Sequence, residues 1–229
     1  MGPGWRCLEV GAGGGSIAAW LCRRVAPAGS VLATDLDTTL LEELTYPNLE
    51  LHVHDLLADE LPEAEFDLVH MRLLLAWLSD PRAGLQRLIA ALRPGGCLMA
   101  EEMDFVSIAP DPGVDPEAGA LFSRAVQAHN AVLAEQHTFD PFYGRRVAGQ
   151  LRQAGLVNLG SEGRASMWRG GEPGGTVWRL TFEQLREPMI ASRLVTPGEV
   201  DRATELCDDP RLSFLSQITM AAWGQRPAP

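Results

Sequence analysis

"LEVGAGGGS", Leu8–Ser16, decides how this chain is read. An apolar run ends in glycines and passes into "IAAWLCRRV" (Ile17–Val25), where Ile17, Leu21 and Val25 recur at helical spacing. That is a strand, a tight turn and a helix. Gly11, Gly13 and Gly15 form G-x-G-x-G, so no Cβ at those three positions holds a ligand off the backbone. The following helix turns unpaired N–H groups and a positive end toward the turn. Glu9 complicates a phosphate reading. A carboxylate beside a phosphate is repulsive, whereas beside a ligand ammonium it is favourable.

Working outward, strand-like and helix-like runs alternate. "RCLEV" (Arg6–Val10), "SVLATD" (Ser30–Asp35), "LELHVHD" (Leu49–Asp55), "FDLVHM" (Phe66–Met71) and "CLMAEE" (Cys97–Glu102) read as strands. "TTLLEEL" (Thr38–Leu44), capped by Thr38 or Asp37, and "AGLQRLIAALR" (Ala83–Arg93), stopped at Gly95, read as helices. Such alternation with short connections predicts a parallel sheet built by right-handed crossovers, with ligands beyond the carboxyl ends of the strands. The second half reads as helices over Ala120–Glu135, Gly144–Leu156, Leu180–Ala191 and Pro197–Cys207. It has one strand at Val157–Trp168 and a last long strand at Phe214–Arg226.

Composition narrows the partners. The 229 residues are 46% hydrophobic, enough for a sizeable core in one large domain or two small ones. No apolar run spans a bilayer and no signal peptide is visible, which places the chain in the cytoplasm, off the membrane. Cys7, Cys22, Cys97 and Cys207 lack paired spacing and read as reduced residues rather than a disulfide framework or metal site. The net charge of −11 repels a phosphate backbone, so a small molecule is expected in place of nucleic acid.

Three features separate the available cofactors. The dinucleotide fingerprint G-x-G-x-x-G requires a glycine where Ser16 stands. Glu9 favours a cationic group near the loop. Asp35 ends the second strand 20 residues after Gly15, where a carboxylate accepts ribose hydroxyls, and Asp55 ends the third, within reach of an adenine amino group. A nucleoside with a positively charged amino-acid-like tail has this shape, as S-adenosylmethionine (SAM) does.

The chain resembles the class I SAM-dependent methyltransferases. "LEVGAGGGS" is similar to their glycine motif, "ATDLD" (Ala33–Asp37) to the acidic end of the second strand, and "HDLL" (His54–Leu57) to the adenine motif. "FDLVHMRLLLAWLSDP" (Phe66–Pro81) and "LRPGG" (Leu92–Gly96) are similar to the motifs of strand four and of the approach to strand five. The resemblance implies an α/β, Rossmann-like, seven-stranded and mostly parallel sheet with helices on both faces and an antiparallel seventh strand at Phe214–Trp223. It implies a single domain over 1–229: a cofactor half at 1–103, and a substrate side at 104–229 with helical insertions at about 104–142 and 170–210 covering the pocket. It implies SAM as cofactor and S-adenosyl-L-homocysteine as product. Glu9 would hold the methionine ammonium. Gly11, Ala12, Gly13 and Gly15 would form the cradle, Asp35 with Leu36 would take ribose and adenine, Asp55 and Leu56 adenine, and His70 or Met71 the methionine portion. Family members usually carry a helical segment before the first strand, where Met1–Trp5 stand here. Either the start is truncated or the insertions do the covering.

The expected reaction is methyl transfer to a small acceptor, at oxygen, with a bacterial secondary metabolite as the substrate class and a monomer or homodimer as the assembly. The rival readings are a SAM-binding protein without methyl transfer, such as a pericyclic catalyst or binding module, and a nicotinamide-dependent reductase. Acceptor-side residues are Arg72, Trp77, Glu101, Glu102, Asp104, His129, His137 and Tyr143. His129, His137 and Glu101 are the candidates for a base. Glu101 and Glu102 point to opposite sides of their strand, and Glu101 is the one expected to face the pocket. Trp168 and Trp178 flank "RGGEPGG" and are expected to pack.

Overall fold

The computed structural model describes residues 1–135 and 139–228. These form two compact units. The first comprises Met1–Glu102, Tyr143–Glu162 and the chain from Met220; the second comprises Met103–Phe142 and Gly163–Thr219.

The elements are β1 (Arg6–Val10), α1 (Ser16–Val25), β2 (Ser30–Asp35), β3 (Leu49–Val53), β4 (Phe66–Arg72), α2 (Pro81–Ala91), β5 (Leu92–Asp104), β6 (Ala109–Pro110), α3 (Pro116–Glu135), α4 (Gly144–Gln153), β7 (Val157–Arg164), β8 (Met167–Arg169), α5 (Pro173–Gln184), α6 (Arg186–Ala191), α7 (Pro197–Leu206), β9 (Ser213–Leu215) and β10 (Ile218–Gln225). Seven strands make one sheet in the order β3-β2-β1-β4-β5-β10-β7. The first five pair in parallel. Gly95 N–H donates to Arg226 O and Arg226 N–H to Gly96 O, both at 2.9 Å, so the end of β10 meets the start of β5 and β10 runs against it.

Period-2 alternation divides the central strands between two buried faces. Cys7 and Leu68 pack under Leu21, Cys22 and Val25 of α1. Leu8, Val69 and Leu98 point the other way and are equally buried. Asp80 starts α2 by accepting the Ala83 N–H at 3.0 Å, with Pro81 in the first turn. Cys7, Cys22 and Cys207 are buried free thiols and Cys97 is half-buried.

The second unit has an aromatic core of Phe122, Trp178, Phe182 and Phe214 from α3, α5 and β9. Its sheet, β6-β9-β8, is antiparallel.

Several expectations need correction. Thr38–Leu44 is a run of turns, not a helix. Asp37 accepts both the N–H and the hydroxyl of Thr39, and Leu41 is its fully buried anchor. The α2 helix ends at Ala91, before Gly95, because the backbone turns extended at Leu92 and begins β5. The runs 157–168 and 214–226 each divide into two strands of different sheets. The second half therefore holds a small sheet of its own. Its small sheet joins residues far apart in the chain, through backbone pairings such as Trp168 with Phe214.

Candidate functional site

The glycine loop is tied to β2. Gly11 and Ala12 donate to Thr34 O at 2.8 and 3.0 Å, and Gly13 N–H donates to Asp35 Oδ2 at 2.8 Å. Gly11, Gly13 and Gly15 all have positive φ (69°, 51° and 74°), the region glycine enters without strain. Two of them face different surroundings. A Cβ on Gly15 would lie 2.5 Å from Leu44 and 2.8 Å from Leu41, so Gly15 is needed for packing. A Cβ on Gly13 or Gly14 would meet nothing within 4 Å. The backbone there borders open space, which is where a ligand can lie against it.

Carboxylates border that space. Asp35 Oδ1 accepts the Asp37 N–H at 3.2 Å, while Oδ2 holds Gly13. His54 N–H donates to Asp35 O at 2.8 Å, which brings the end of β3 alongside the end of β2. Asp55 follows, its Oδ1 accepting the Leu57 N–H at 2.8 Å. Leu36 is 71% exposed, an apolar side chain left in the open beside these acids. Leu56 is buried, so only its backbone can serve a ligand.

Glu9 and His70 are neighbours across the β1–β4 register. Both are buried, and His70 Nδ1 lies 2.6 Å from Glu9 Oε2. On its other side His70 Nε2 lies 3.3 Å from Glu101 Oε2. Burial works against a charged imidazole. Hydrogen bonds to Glu101 and Glu9, with their charges, outweigh it and raise the His70 pKa to about 9. Glu9 is therefore already paired within the protein. His70 and Met71 lie inside β4 rather than past its end, and Met71 is fully buried on the face opposite His70.

Glu101 and Glu102 do face opposite ways. Glu101 joins the His70 cluster. Glu102 is fully buried, and its Oε1 accepts N–H groups from Leu74, Leu75 and Ala76 at 3.1, 2.7 and 3.4 Å. Burial, only partly offset by those three donors, raises its pKa to about 7. It pins the segment after β4, whose Leu74 packs on Gly11: a Cβ there would lie 3.2 Å from Leu74 Cδ1. No local motif marks this role, since the partners are 26–28 residues apart.

The remaining acceptor-side residues scatter. Arg72 reaches Ser16 Oγ at 3.4 Å, at the start of α1. Trp77 is exposed. Asp104 accepts the Val106 N–H at 3.0 Å and starts a 3-10 turn. Tyr143 is buried and donates to Gln150 at 2.5 Å. His129 belongs to the second unit, buried 5.0 Å from the Trp178 ring and 5.5 Å from that of Phe105. Burial lowers its pKa, so it is a neutral, packed imidazole. Trp178 packs as expected. His137 lies outside the described residues. Among the described residues no group of three His, Cys, Asp or Glu is placed to hold a metal, and no helix is long and apolar enough to cross a membrane.

Residues 8–98 match the family model of a methyltransferase domain. A methyltransferase of Strobilurus tenacellus, str2, is 30% identical over 158 residues, covering 66% of this chain and 53% of its own length. The chain spans about half the length of the first curated relatives it matches. A Bacillus halodurans protein assigned as a methyltransferase superposes over all of the chain and 94% of its own, with TM-score 0.60 and 18% identity. Phosphoethanolamine N-methyltransferase 2 of Haemonchus contortus, solved with S-adenosylhomocysteine, superposes over 99% of this chain and 50% of its own, with TM-score 0.57 and 16% identity. Strand order, glycine loop and relatives agree, and the chain is similar to the class I SAM-dependent methyltransferases.

Proposed function

We propose that this chain binds SAM across its glycine loop and directs methyl transfer to the oxygen of a small organic acceptor, in the cytoplasm and without nucleic acid as partner. The observation that carries the reading is the open space over Gly13 and Gly14, directly beside the Asp35 carboxylate. When bound, SAM supplies a methyl group already activated on a sulfonium. The chain's task is to hold, align and exclude water. Asp35 takes the ribose hydroxyls, its second lone pairs remaining available beside the Gly13 bond. Asp55 and the Leu56 backbone take adenine, and exposed Leu36 is covered by it. Glu101, the more exposed carboxylate of the Glu9–His70–Glu101 cluster, favours the cationic tail. The net charge of −11 disfavours phosphate-rich partners and so supports a small acceptor.

The first test is calorimetric titration with S-adenosylhomocysteine, SAM and NADH. Binding of the first two alone is expected; binding of NADH alone would mean that the loop had been misread. Asp35→Ala is expected to weaken S-adenosylhomocysteine by about 1–3 kcal/mol, the value of a charge-assisted hydrogen bond. An unchanged Kd in the folded variant would remove Asp35 from the site. The two glycines separate the loop's structural and binding duties. Gly15→Ala is expected to lower stability by about 1–3 kcal/mol through left-handed strain and contact with Leu44. Gly13→Ala should cost less stability but more cofactor affinity. Thermal melts paired with the same titration read both.

A further inference from the structure

A groove of about 620 Å³ runs along the α1 side of the sheet, entirely within the first unit. That volume is within the range of small-molecule sites. Its walls are chiefly Trp5, Trp20, Trp223 and Met99. Trp20 is 44% exposed, a large apolar side chain open to solvent on α1. One end is set by Ser16 and Ile17, the first residues of α1, immediately after Gly15 of the glycine loop. His70 and Glu101 also line it. An otherwise apolar trough therefore opens next to the cofactor loop and carries a buried ionic cluster in its wall.

The charges set what fits. Two carboxyl groups, Glu9 and Glu101, flank one imidazolium, and burial raises the Glu9 pKa. Glu101 has 22% of its side chain exposed, against 2% for Glu9, so Glu101 is the member that meets a ligand. An anion is repelled there, while an O–H or N–H donor is favoured. Arg23 also lines the groove. Its guanidinium donates to Tyr46 Oη at 2.5 Å and lies 5.8 Å from that ring's centroid, which engages it on its own helix's flank. Indole walls favour a flat, apolar body over an aliphatic or heavily hydrated one.

We propose that this groove is the acceptor subsite, and that it takes a flat aromatic molecule carrying a hydroxyl that donates to Glu101. The proposal rests on the methyltransferase reading and names its substrate class. It places the hydroxyl at the end of the groove nearest the glycine loop, and the apolar body against Trp20 and Trp223.

The test is calorimetry on the full chain with three probes of one ring system: 2-naphthol, its methyl ether 2-methoxynaphthalene, and 2-naphthoate. The expected result is saturable binding of 2-naphthol, at least fivefold weaker binding of the ether, and the weakest binding for the anion. Trp20→Ala should weaken 2-naphthol about tenfold, and Glu101→Gln should reduce the naphthol-to-ether preference at least threefold. Trp20→Leu, which keeps an apolar chain on α1, serves if Trp20→Ala melts early. Equal binding of the three probes, or no effect of either substitution in folded protein, would overturn the proposal. S-adenosylhomocysteine titrated into the unaltered protein separates the two levels. If it binds and 2-naphthol does not, the groove assignment falls and the family reading stands. If only 2-naphthol binds, the cofactor reading falls and the groove is no acceptor subsite.

Discussion

Replacing His70 with alanine is expected to destabilise the fold by about 3–5 kcal/mol, roughly 6–20 °C in Tm. Removing the imidazole leaves Glu9, 2% exposed, as a buried carboxylate without its 2.6 Å partner. The loss comes from the group left behind rather than from the bond itself. The double variant Glu9→Leu/His70→Leu should therefore recover much of the stability lost by the single change, because it removes both charges from the interior. Urea denaturation of the single and double variants measures the difference. A His70→Ala protein within 1 kcal/mol of the parent would show that the pair is not buried as described.

Stability is expected to fall as the solution becomes alkaline, in two windows. Glu102 has an ordinary value of 4.5 and a folded value of about 7. Its contribution is fully present below pH 4.5 and is lost as pH rises through 7, by about 3 kcal/mol. The loss arises because the unfolded chain ionises this carboxyl freely and the folded one does not. His70 moves from 6.5 to about 9. Its contribution is fully present below 6.5 and is lost as pH rises through 9, again by about 3 kcal/mol. Both groups act in the same direction over adjoining ranges. Glu102→Gln should flatten the lower window, and His70→Gln the upper one, in urea midpoints measured from pH 5 to pH 9. A parent protein equally stable at both ends would contradict both assignments. Glu102→Gln also keeps an acceptor for Leu74–Ala76, so its own cost is confined to the amide nitrogen left where Oε2 has no partner.

The core of the fold was legible where local pattern and tertiary role coincide. Arg6–Val10 and the glycines after it carry strand, turn and helix in one stretch, and the structure follows with β1 and α1. Thr38–Leu44 misled because its leucines suit a helix, while Asp37 and Thr39 satisfy one another in a turn and only Leu41 is deeply buried. No glycine or proline stands at the breaks in the runs 157–168 and 214–226, Ala165–Ser166 and Ser216–Gln217. What divides them is nonlocal: Ser216 N–H donates to Ser166 O, and Ser216 Oγ accepts the Ser166 N–H. Asp35 could be placed at the end of its strand from the sequence, but its bond to Gly13 spans 22 residues. The Glu9–His70 bond spans 61 residues, and a buried ion pair leaves no trace in either residue's immediate neighbours.

The place of β10 between β5 and β7 bears on how the chain leaves the ribosome. More than a hundred residues separate the end of β5 from the start of β10. At roughly 5–20 residues per second, translation leaves the outer edge of β5 without that neighbour for about 6–23 s. An unpaired edge is a template for other chains during that time. The outer edge of β5 thus waits for a strand from far along the chain, and it is open to pairing with other molecules until β10 emerges.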